Sequence, residues 1–241
     1  MKKESQNKIL IVTLYAIAMG FLESAVVIYL RKLYYPFGFN FPLKGFIEPT
    51  ILGVEWIREF ATIVMLLTIS MLAAKKFYPR FAYFLYAFAI WDIFYYVFLK
   101  VYLNWPSSLL ESDILFLIPW PWVGPVLAPI LCTILMISAA LIIIYFEDNR
   151  IKVKFILKEW LLIILGILLV LYTWVYDYGK IIIAGGFLKD FFSLIKNQQF
   201  FDIVENYVPQ PYNWAMFIIG LLFSTIGIIL FYIRTKKLRK N

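Results

Sequence analysis

Five ionisable side chains stand inside long apolar runs of this chain: Glu23, Glu55, Arg58, Glu59 and Asp92. In hydrocarbon a charged group costs about 3 kcal/mol or more, so such residues by default face a bundle interior or a wet cavity. Their spacing groups them. Glu55, Arg58 and Glu59 are three and four residues apart, which puts them on one face of a helix. Asp92, Tyr95 and Tyr96 repeat that relation in another run. Ala16, Met19, Gly20 and Glu23 form a stripe in a third, where the small residues let a neighbouring backbone come close.

The chemistry open to these groups is narrow. Carboxyls can carry a proton, hold a cation through oxygen, or work as acid and base. With all four acids ionised, Arg58 would leave three negative charges uncompensated, which a dry site does not sustain. Some must be protonated, hydrated, or neutralised by a bound cation or cationic ligand. The candidate ligand-, proton- or cation-binding set is therefore Glu23, Glu55, Arg58, Glu59, Asp92, Tyr95 and Tyr96. The same residues also read as Glu–Arg and Asp–Tyr hydrogen bonds that fix helix packing. The sequence leaves both readings open.

Six apolar runs must position these residues: 9–30, 51–74, 81–103, 120–146, 160–176 and 214–233. Each is close to the roughly 20 residues needed to cross a bilayer. The whole chain of 241 residues is 63% hydrophobic and 16% charged, with a mean hydropathy of +0.82. That composition excludes an ordinary soluble domain. The expectation is one all-α, polytopic membrane domain over residues 1–241. The first run, long and without a small-residue cleavage pattern, reads as a retained span.

Basic residues orient the spans. With the N-terminus inside, 15 Lys and Arg fall in cytoplasmic segments and 7 in outer ones, and Arg58 is left within a span. That bias predicts a multi-pass protein of the cell membrane with both termini cytoplasmic. At 1.5 Å per residue, Glu23, Glu59, Tyr95 and Tyr96 then lie about 10–12 Å below the outer ends of their spans, Glu55 about 6 Å and Asp92 about 16 Å.

The outer loops are 31–50, 104–119 and 177–213. Within the third, Phe187, Leu188, Phe191, Phe192, Leu194 and Ile195 alternate with Lys189, Asp190 and Lys196 as in an amphipathic surface helix. Before the fourth span, Pro119, Pro121 and Pro125 interrupt Trp120 to Gly124. Proline denies a helix its hydrogen bonds and disfavours helical geometry in the residue before it. The expectation is a short helix or re-entrant segment at about 107–118, a break near 119–124 and then the span, the break roofing the polar residues from outside.

Several functions are excluded. The chain has no histidine, which removes His-ligated haem, His-based metal sites and Ser–His or Cys–His catalysis. Cys132 is the single cysteine, so neither an intrachain disulfide nor a thiolate cluster forms. No cofactor is expected, although a carboxylate-bound cation remains open. The net charge of +8 sits largely in loops, where it meets anionic lipid rather than nucleic acid. Expected partners are membrane lipids and a homo-oligomer or larger membrane complex. Three functions stay in play: a non-enzymatic binding or accessory protein with an acid-rich pocket in the outer half of the membrane, a proton- or cation-coupled transporter, and a carboxylate-based enzyme acting on lipid. The first is the leading expectation.

Overall fold

A computed structural model describes residues 1–43, 48–189 and 197–237. Its elements are α1 (Lys3–Tyr34), α2 (Pro49–Ala73), α3 (Phe77–Leu103), β1 (Ser112–Phe116), β2 (Trp122–Pro125), α4 (Leu127–Asp148), α5 (Leu157–Ala184), α6 (Gln198–Glu205) and α7 (Trp214–Lys237). Six of the helices are long and apolar enough to cross a membrane. Several outrun the apolar runs that announce them. Helical hydrogen bonding continues past a hydrophobic boundary until a residue stops it, so α1 starts at Lys3 among polar residues. Likewise α5 passes through Asp177 and Lys180 and ends at Gly185.

The fourth span is the main correction. It begins at Leu127, not Trp120, and no helix forms over 107–118. Instead β1 and β2 pair as an antiparallel hairpin. Extended backbone suits prolines that cannot donate, and each strand satisfies the other's peptide groups. The expected amphipathic helix after Phe187 lies outside the described residues from 190 onward. Phe187–Lys189 form a single 3-10 turn, and Phe187 packs edge-on against Phe200 of the short helix α6.

Helices α1 and α3 lie side by side in the same direction, Thr13 meeting Tyr86 and Gly20 meeting Trp91 and Tyr95, while α4 packs on α3, and α2 rests on α1 and α3. The other tight pair is α5 with α7. Glycines allow that closeness: a Cβ on Gly166 would stand 2.4 Å from the Gly220 carbonyl and 2.2 Å from Ser224 Oγ. At the end bearing both termini, Arg234 of α7 donates to Glu159 of α5 at 2.7 Å. Also there, Lys76 pairs with Glu147 at 3.1 Å. The hairpin closes the opposite end.

Candidate functional site

The stripe on α1 meets α3 at the level of the polar residues. A Cβ on Gly20 would lie 2.9 Å from the Trp91 carbonyl oxygen and 3.2 Å from the Tyr95 nitrogen. Any larger residue would push the two helices apart. This contact lines up Glu23 of α1 with Asp92 and Tyr95 of α3, and α2 brings Arg58 across.

Arg58 is the hub. Its Nε and Nη2 donate to Glu55 Oε2 at 3.0 and 2.7 Å, and its Nη1 donates to Glu23. The other Glu23 oxygen accepts from Thr62 Oγ1 at 3.1 Å. Glu59, one turn from Glu55, faces elsewhere and accepts the Leu117 backbone N–H at 2.9 and 3.1 Å on its two oxygens. Glu59 lies ten residues inside α2, about 15 Å along its axis. The turn beyond β1 therefore descends well between the helix ends.

The hairpin is held on both sides. Trp122 of β2 stacks on Trp174 of α5 at 6.0 Å, and Trp120 Nε1 donates to the Val175 carbonyl at 3.1 Å. On β1, buried Asp113 accepts from Arg31 Nη2 at 2.8 Å. The Arg31 guanidinium is clamped between Phe39 and Trp105, 3.9 and 3.8 Å from the ring centroids. Burial pushes the Asp113 carboxyl above its ordinary range, and Arg31 together with the Ile114 N–H pulls against that.

These elements enclose a cavity of about 220 Å³. Six of the seven residues expected to bind a ligand, proton or cation line it: Glu23, Glu55, Arg58, Glu59, Asp92 and Tyr95. Tyr96 does not. It is buried beside Tyr95 and Trp105 in the packing around the Arg31–Asp113 pair. Tyr95 and Tyr96 sit on opposite flanks of Asp92 along the helix, and only the Tyr95 flank opens on the cavity.

Asp92 stands apart from the other acids. It is part-buried, lines the cavity, and has no hydrogen bond or ion pair among the described residues. The charged groups that act on it, Asp113 and Glu23, are themselves acids. No group of three or more acidic or cysteine side chains is gathered for a metal among the described residues.

Arg31 and Asp113 also line the cavity, and the residue spacing pattern missed both. Arg31 counted as a loop base and Asp113 as part of the proline-rich stretch. A signal was present: Glu23, Val27 and Arg31 repeat every four residues, which extends the Glu23 stripe upward. The Leu117 amide had no signal, since any residue can present a backbone N–H. Compared with protein-family models, curated proteins and solved structures, the chain matches none.

Proposed function

We propose that this chain is a non-enzymatic ligand-binding protein of the cell membrane, crossing it six times, with both termini cytoplasmic and the hairpin re-entering from the outer face. The single observation that carries the binding function is Asp92, a carboxyl inside the bundle with a cavity before it and no partner among the described residues. The polar residues divide into two sets. Arg58 with Glu23 and Glu55, and Arg31 with Asp113, are paired and hold helices and hairpin together. Asp92, and Glu59 elsewhere on the cavity wall, offer oxygens to whatever occupies the space.

The two sets respond oppositely to neutralisation. A carboxylate held inside the bundle without a partner is a cost to the fold, tolerated at sites where function needs it. Asp92→Asn is therefore expected to leave the melting temperature in detergent unchanged or raised. A fall of about 5 °C or more, equivalent to about 1–2.5 kcal/mol for a chain of this length, would show that Asp92 holds the bundle together and would end the binding reading.

The orientation is tested separately in a Cys132→Ser background. Leu110→Cys, exposed beside the hairpin, should react with an impermeant maleimide on intact cells. Lys75→Cys should react only after permeabilisation. The reverse pattern inverts the topology.

A further inference from the structure

We propose that the cavity receives a small lipophilic amine in its protonated form, with Asp92 as the counter-ion of the ammonium group; this rests on the pocket reading above. Six acids and two bases line the cavity. Both bases are engaged, Arg58 by Glu23 and Glu55 and Arg31 by Asp113. Glu59 has the Leu117 N–H. The charge left without a counter-charge is thus negative, on Glu59, Asp92 and Glu205, and of these Asp92 is the one within a transmembrane helix that has no hydrogen bond among the described residues.

A second observation is independent of the acids. Trp91, next to Asp92 on α3, lines the same cavity and is 6% exposed, and its indole N–H is buried with no partner. Buried polar groups in native proteins are nearly always hydrogen-bonded, so an orphan of this kind marks a site completed by something else. An unpaired acceptor and an orphan donor are adjacent in the chain and share one wall. A ligand that satisfies both carries a cationic donor and presents an acceptor, a polar atom or an aromatic π face, to the indole N–H.

The walls decide between an inorganic and an organic cation. A hard metal ion takes six or more oxygen ligands, and here the side chains around the unpaired carboxyl are largely aromatic and aliphatic. Trp56, Trp91, Tyr95, Trp120 and Tyr178 all line the cavity. Aromatic faces attract an ammonium by cation–π interaction and give its hydrocarbon substituents an apolar surface. At about 220 Å³ the space lies below the roughly 300 Å³ at which drug-sized sites begin, so the amine is a compact one.

Three probes of one shape test this on the full-length protein in detergent: 3-phenylpropylamine, 3-phenylpropanol and 3-phenylpropanoate, each titrated at pH 7 while melting temperature is read. The amine is expected to raise the melting temperature in a saturable way, and the alcohol and carboxylate to have little effect. Asp92→Asn should weaken amine binding about tenfold or more, the usual scale for losing a charge-assisted contact. If the alcohol stabilises the wild type as well as the amine does, the pocket stands and the ammonium assignment falls. If none of the three binds, pocket and assignment fall together. Amine binding that survives Asp92→Asn undiminished also overturns the assignment. The wild-type comparison of amine with alcohol decides the matter even where the variant does not fold.

Discussion

Replacing Arg58 by leucine should destabilise the protein more than any other single change within the spans. The guanidinium joins α1 to α2 through Glu23 and holds Glu55 on its own helix. Both acids are buried, at 9% and 7% exposure. Taking away one partner of a buried pair costs about 3–5 kcal/mol, because a charge remains with nothing to compensate it, and here two charges remain. Total stabilities are about 5–15 kcal/mol, so Arg58→Leu should express poorly or melt far below the parent. Adding Glu23→Gln and Glu55→Gln should restore much of the loss, since neutral amides are far cheaper to bury. An Arg58→Leu single variant that melts like the parent would mean that water, not the two glutamates, solvates Arg58.

The Arg31–Asp113 pair should show the next largest effect, and it should be local to the hairpin. Arg31→Met keeps an apolar stem between Phe39 and Trp105 and leaves Asp113, 1% exposed, without its base. A loss of about 3–5 kcal/mol is expected. Arg31→Met combined with Asp113→Asn should recover about 2 kcal/mol of it, the coupling typical of residues in direct contact. Hydrogen exchange supplies the spatial readout: backbone amides of 112–116 and 122–124 should lose protection before those of the helices. Strictly additive losses in the double variant would show that the pair is not coupled, and that Trp120, Trp122 and the Glu59–Leu117 hydrogen bond hold the hairpin without it.

Set against the paired residues, Asp92 explains why two readings of the sequence could both be drawn from one set of residues. The expectation of interhelical glue describes Arg58, Glu23 and Glu55. The expectation of a binding pocket describes Asp92 and, in part, Glu59. Residue types cannot separate these, because a glutamate that finds an arginine and an aspartate that finds none look alike in one dimension.

What the sequence determined by itself was everything that depends on local composition and short-range periodicity. Six apolar runs became six helices because hydrocarbon leaves the backbone no other way to satisfy its own hydrogen bonds. The three- and four-residue spacings placed Glu55, Arg58 and Glu59 on neighbouring positions of α2, and Gly20 on the face that meets α3. The absence of histidine settled which chemistries were closed. Tertiary structure alone decided the rest. That the proline-rich stretch forms a hairpin pairing Ser112 with Pro125 and Phe116 with Trp122 is a choice that its packing on Trp174 of α5 supports beyond local propensity. That Glu59 turns from Arg58 to the Leu117 amide depends on where that hairpin descends. That Arg31 is an interior group rather than a loop base depends on Phe39, Trp105 and Asp113 arriving from three separate segments. The contacts of the hairpin with Trp174 and Glu59, and of Arg31 with Asp113, join distant parts of the chain, and their energy exists only once the intervening helices have brought those parts together.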